Sequence, residues 1–205
     1  GNKMENWIIE IMNNYGYLGI LSLIAIENIF PPIPSEVILT LGGFMTTTTN
    51  LTVLGVVLSA TLGAGVGAVI LYGVGLLIDV ERLEIIIDKW GHILRLKKED
   101  IYRADHWFTK YGEWTVFFCR LVPLLRSLIS IPAGMSHMGF LHFLILTILG
   151  SLLWNIVLVN IGAVVGASWY EIVKYFDVYS NIVYLVLALL IIIGGIIFFQ
   201  KRIKK

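Results

Sequence analysis

Residues 37–78 contain no Asp, Glu, Lys or Arg, and neither do residues 127–170, so two stretches of 42 and 44 residues carry no formal charge. A membrane-crossing helix needs about 20 apolar residues. Each stretch is therefore about twice one crossing and has to hold a crossing plus something else. The whole chain agrees: 58% of its 205 residues are hydrophobic and 14% charged, against roughly 45–50% and 25% in soluble domains. Mean hydropathy is +0.85. A soluble globule of this size could not bury so much apolar surface, which excludes an ordinary cytosolic enzyme, a disordered chain and a disulfide scaffold. A net charge of +1 gives no reason to expect nucleic acid or another polyanion. The lone Cys119 reads as a small buried apolar residue. His137 and His142 lack nearby acidic or thiol partners, so neither a metal nor a cofactor is expected.

The excess length is spent at breaks. Pro31-Pro32-Ile33-Pro34-Ser35-Glu36 cannot continue a helix, because each proline removes an N–H donor and constrains its neighbour. Gly42-Gly43 and the run Thr46-Thr47-Thr48-Thr49-Asn50 interrupt the first uncharged stretch. Pro132-Ala133-Gly134 interrupts the second early, behind Arg120-Leu121-Val122-Pro123-Leu124-Leu125-Arg126. Full crossings are expected over 52–78 and 143–167. Residues 4–14 carry apolar positions at helical spacing and read as an amphipathic helix at the membrane interface.

The chain thus divides into two similar halves, 15–78 and 107–170, each with a proline-broken segment ahead of a crossing. The expected fold is an all-α, polytopic, single transmembrane domain with inverted repeats. It has two re-entrant helical hairpins, the first near 30–50, and about four crossings, the last over 180–200. Residues 79–106 hold six Lys/Arg and form a solvent-side connection, and residues 201–205 form a basic tail. The excess of Lys and Arg assigns both to the cytoplasm. Four crossings then put both termini inside. Gly63-x-x-x-Gly67 and Gly162-x-x-x-Gly166 permit close helix approach, within one chain or between copies, so a homo-oligomer stays open.

Glu27, Glu36, Arg120 and Arg126 are charged residues flanked by apolar sequence. Each costs roughly 2.5–3.5 kcal/mol at the bilayer centre on insertion scales, so they should face one another or a cavity. Irregular backbone at that depth needs the same shelter. The prolines and glycines that shape the hairpins, Pro31, Pro32, Pro34, Gly42, Gly43, Pro123, Pro132 and Gly134, should frame it. Arginine offers a planar fork suited to phosphate, which makes Arg120 and Arg126 candidate head-group binders. Carboxyls in apolar surroundings exchange protons closer to neutrality, which makes Glu27 and Glu36 candidate proton carriers or counter-charges.

Two stretches, Glu27 to Glu36 with Gly42-Gly43, and Phe118 to Arg126 followed by Pro132-Ala133-Gly134-Met135, make the chain resemble the DedA family of bacterial inner-membrane proteins, also called the SNARE-associated or VTT-domain family. One departure is that the second acid is a Glu in Pro-Ser-Glu, where many members carry an Asp after Pro-Gly. The resemblance implies two re-entrant hairpins, a bacterial plasma-membrane location and lipid transport. Its functional acids match Glu27 and Glu36 and its functional arginines match Arg120 and Arg126. The leading expectation is a transporter or flippase of a lipid-linked phosphate, foremost undecaprenyl phosphate, with proton coupling. Alternatives are a phospholipid flippase or scramblase carrying, for example, phosphatidylethanolamine, a proton-coupled antiporter of small solutes, and an intramembrane lipid phosphatase.

Overall fold

A computed structural model describes residues 3–30, 35–94, 97–123 and 125–203, and those residues are helical without strands. The helices are α1 (Lys3–Ile29), α2 (Ser35–Thr48), α3 (Val53–Leu77), α4 (Val80–Leu94), α5 (Lys98–Cys119), α6 (Leu125–Leu128), α7 (Ser130–Met135), α8 (Phe140–Val165) and α9 (Trp169–Ile203). Four segments are long and apolar enough to cross a membrane: Lys3–Ile29, Val53–Leu77, Phe140–Val165 and Lys174–Arg202. Pro31, Pro32 and Pro34 lie outside the described residues.

The first of these segments is not straight. Gly16 adopts φ +55° and ψ −126°, a backbone open to glycine at little cost. The chain doubles back there, and a Cβ on Gly19 would lie 2.8 Å from the Ile11 carbonyl oxygen. Eight residues along a straight helix would separate that pair by about 12 Å. Of the apolar stripe in the 3–15 arm, Ile8 and Met12 are buried in the core while Met4, Trp7 and Tyr15 are exposed.

The 17–29 arm lies along α3. Tyr17 sits at the beginning of α3, where its hydroxyl accepts from the Thr52 backbone N–H at 2.9 Å. Thr52 in turn caps the helix by accepting from the Gly55 N–H at 3.0 Å. Further along, Gly63 faces the Leu21 carbonyl and Gly67 faces Ala25 and Asn28. The arm therefore ends beside Gly67, about 20 Å along α3. Helix α2 then returns, with Gly42 against Val56 and Ile20. The two arms form a helical hairpin over 17–48 whose outer ends both lie at the N-terminal end of α3. The positive φ at Gly16 marks where the 17–29 arm begins.

The second half builds the same unit from the other end. Helix α8 runs antiparallel to α3: the Asn155 amide donates to Thr61 Oγ1 at 3.1 Å, and Tyr72 stacks on Phe143 with ring centroids 4.8 Å apart. Helix α5 reaches Gly150 of α8 through Phe117 and Arg120. The chain reverses across Arg120–Ser130 and returns along α7 to the C-terminal end of α3, where the Tyr72 hydroxyl donates to the Met138 carbonyl. Pro123 is buried at this reversal, and its carbonyl accepts from the Leu125 N–H at 2.9 Å. Pro132 sits near the start of α7, where a missing N–H costs little.

Each hairpin's first arm lies on its own half's long helix and its return arm on the other half's. Gly43 of α2 faces the Val159 carbonyl of α8, and Gly162 of α8 faces Thr40 of α2. Gly134 of α7 faces the Tyr72 carbonyl of α3, and Gly75 of α3 faces Ile131 of α7. At both crossings a Cβ would fall on backbone, so the two halves can only close with glycine. Gly63, Gly67 and Gly162 thus pack within the chain, whereas Gly166 (φ +54°) ends α8 with open space where a Cβ would point. Helices α4 and α5 form the polar connection. Lys98 pairs with Asp88 at 3.1 Å, and the Tyr102 hydroxyl donates to Glu84, which holds the phenol pKa above its ordinary value.

Candidate functional site

The two hairpin tips meet between α3 and α8, and the four charges singled out in the sequence lie there. Arg120 and Arg126 are among the largest fully buried side chains, at 0% and 1% exposure, and Glu27 and Glu36 are 4% and 5% exposed. Four charges this deep require partners, since an unpaired buried charge costs several kcal/mol.

Arg126 joins the tips. Its Nη1 lies 3.9 Å from Glu27 Oε2 and donates to Ser35 Oγ, both residues of the first hairpin. Its guanidinium stands over the Trp154 ring of α8, 5.7 Å from the centroid. Glu27 Oε2 also accepts from the Asn28 amide at 3.2 Å. Among the described residues, Nε and Nη2 of Arg126 have no hydrogen-bond partner. The fork is half committed and half free.

Arg120 is engaged differently. Nη1 donates to the Arg126 carbonyl, and Nη2 donates to Ser130 Oγ at 2.8 Å and to Thr147 Oγ1 at 3.0 Å. Its guanidinium lies over the Phe143 ring, 5.8 Å from the centroid. Arg120 therefore ties the reversal of the second hairpin to α8. It touches neither carboxylate among the described contacts. Glu36 lies at the start of α2 and accepts from Ser180 Oγ of α9 at 3.3 Å. The expected grouping of two acids facing two arginines is thus one close pair, Glu27 with Arg126, flanked by an arginine and a glutamate held by hydroxyls. The expected open cavity is, in this conformation, a cluster withdrawn from the accessible surface. A groove of about 550 Å³ lies elsewhere, along Trp107, Tyr111, Trp114 and Phe118 of α5.

Sequence reasoning missed the hydroxyls and Trp154. A signal was present: Thr147, Ser151 and Asn155 recur every four residues in an otherwise apolar helix, a polar stripe on one face of α8. Asn155 bridges to α3 as expected of a buried amide, while the exposed Asn160 bonds back to Ile156 of its own helix at 2.7 Å. The histidines stand outside the cluster, with His137 exposed and 3.8 Å from Asp79. No group of three His, Cys, Asp or Glu able to hold a metal occurs among the described residues.

Two arginines and two glutamates enclosed among apolar helices define a helical membrane protein with a buried charged centre. The comparisons make this specific. The VTT domain model matches residues 33–164, well over half of the chain. The chain is 39% identical to undecaprenyl phosphate transporter A of Staphylococcus aureus, covering 97% of this chain and 98% of that one. It is 33% identical to undecaprenyl phosphate transporter A of Bacillus subtilis, covering 90% and 89%. It is 54% identical to a Lactococcus lactis protein named alkaline phosphatase-like protein, covering 97% and 94%. No solved structure matches the chain. The chain belongs to the VTT-domain family, the DedA family whose motifs it carries, and is a multi-pass membrane protein.

Proposed function

We propose that this protein moves undecaprenyl phosphate across the bacterial plasma membrane, returning the carrier to the cytoplasmic face. The observation that carries the reading is Arg126. It is a buried guanidinium that links the two hairpin tips and keeps two nitrogens without partners. A small anionic head group suits that fork, while a long apolar tail can stay in lipid. Two homologues named as transporters of this lipid support the same substrate. The phosphatase name of the Lactococcus relative finds little counterpart in the cluster, where the glutamates are engaged by Arg126, Asn28 and Ser180 and no described contact joins a carboxylate to Ser127 or Ser130 as a base would join a nucleophile.

On this reading both hairpins are re-entrant, one from each face, and α3, α8 and α9 are the full crossings. The doubling back at Gly16 turns the expected first crossing into a hairpin arm of thirteen residues, too short to span. On that reading the 3–15 arm stands on the face opposite the basic tail. Glu27 supplies the proton coupling: protonation removes the charge paired with Arg126 Nη1, which leaves the guanidinium's positive charge to a phosphate held at its free Nε and Nη2.

The test is translocation in proteoliposomes with undecaprenyl phosphate, phosphatidylethanolamine and a cationic solute as alternative cargoes. Wild-type protein moves the first and Arg126→Ala abolishes movement while still inserting and folding. Normal movement in Arg126→Ala refutes the assignment. Equal movement of phosphatidylethanolamine would shift it to a phospholipid scramblase. Glu27→Gln should make transport insensitive to an imposed pH gradient.

A further inference from the structure

We propose that Trp154 is a head-group ligand: its indole N–H, with Nε and Nη2 of Arg126 and the Ser127 hydroxyl, forms an oxyanion cradle for a phosphate monoester, and Arg120 positions that cradle without touching the ligand. This inference rests on the transport reading above and assigns its binding atoms.

The argument begins with accounting. Buried N–H and O–H groups are nearly always paired, so a cluster left without partners calls for an explanation, and an absent ligand is one. Among the described residues, Arg126 Nε, Arg126 Nη2, Ser127 Oγ and Trp154 Nε1 are all buried and without a hydrogen-bond partner, as are Arg120 Nε and Ser151 Oγ. Arg126 and Trp154 are spatial neighbours, with the guanidinium 5.7 Å from the ring centroid, and Ser127 follows Arg126 in α6. All four cradle atoms are donors. A terminal phosphate accepts through three oxygens and donates little, so its chemistry complements this set. A neutral alcohol accepts only through one oxygen. A cation finds nothing to coordinate beside a guanidinium.

Arg120 falls on the other side of the division. Its Nη1 and Nη2 go to the Arg126 carbonyl, Ser130 and Thr147 and hold the turn that carries Arg126 and Ser127, which leaves one nitrogen, Nε, without a partner against two on Arg126. A lysine at this position, with a point charge and no fork, would hold fewer of these groups. Trp154 acts on Arg126 as well as on the ligand, since the ring face fixes the plane of the guanidinium. Substituting Phe keeps that face and removes the N–H alone.

The experiment measures binding of farnesyl phosphate, a soluble polyprenyl phosphate, to the purified full chain in detergent, with farnesol as the uncharged control. Wild-type protein binds farnesyl phosphate and not farnesol. Trp154→Phe weakens farnesyl phosphate binding about tenfold, as expected for one hydrogen bond to a charged group, and leaves the pH dependence of binding unchanged. A second measurement needs no variant. In wild-type protein labelled with ¹⁵N at its six tryptophans, one indole N–H signal moves downfield with farnesyl phosphate and stays put with farnesol. Unchanged affinity in folded Trp154→Phe, or six unmoved indole signals during saturating binding, overturns the cradle while leaving the transport reading intact. Wild-type protein that binds farnesyl phosphate no better than farnesol overturns both.

Discussion

Arg126 and Glu27 lie 3.9 Å apart with almost no exposure, and among the described residues they are the ion pair that links the two hairpins. At an effective dielectric constant near 20, two unit charges at that distance attract by about 4 kcal/mol. Removing one partner of a buried pair leaves the other uncompensated and costs about 3–5 kcal/mol. Arg126→Ala should therefore destabilise the protein by about that amount, with a further contribution from the lost bond to Ser35. Glu27→Gln alone leaves the guanidinium unpaired and should be costly too. The double variant buries neither charge and should recover much of the loss. A double-mutant cycle should then return a coupling energy of about 3 kcal/mol. The assay is reversible unfolding in mixed micelles, with all four proteins compared at one pH and one lipid-to-detergent ratio. Costs that add within about 0.5 kcal/mol would mean the two residues do not sense each other. The meeting of the hairpin tips would then not be electrostatic, and the proposed coupling of proton to phosphate would lose its physical link.

Two other outcomes follow from the geometry. Gly43→Leu should destabilise the fold by more than about 2 kcal/mol and abolish transport, because any side chain at Gly43 meets the Val159 backbone of α8, which cannot move aside; unfolding in micelles reads it, and Gly194→Leu, where space is open, is the silent control. A single cysteine placed at Glu10 in a Cys119→Ser background should react with an impermeant maleimide added outside intact cells, while one placed at Lys201 should not. Labelling of both or neither would place the termini on one face and remove the re-entrant reading of the first hairpin.

The chain's own order of residues settles a good deal. The two long uncharged stretches require a membrane, and each supplies a helix of sufficient length and hydropathy, Val53–Leu77 and Phe140–Val165. The isolated charges Glu27, Glu36, Arg120 and Arg126 could be named as a set because each is expensive in lipid and unaccompanied by local partners. That all four are buried follows from this cost. The family motifs were legible for the same reason: they are the charged and proline-bearing interruptions of an apolar chain.

Other features depend on separations that no local pattern encodes. Arg126 meets Ser35 across 91 residues and Ser180 meets Glu36 across 144. Charge complementarity suggested that acids would pair with arginines, but it could not say that Glu27 would take Arg126 while Arg120 went to hydroxyls. The two halves close where Gly43 crosses α8 and Gly134 crosses α3, and the pairing exists only in that closed arrangement. Likewise Gly16 is one glycine among twenty in the chain, and only its positive φ reveals that the first apolar segment folds back. Hydropathy sets which residues leave water, because that depends on composition along the chain. Which buried groups face one another is set by helix-to-helix contact, because distances of a few ångströms exist only once the two halves have closed.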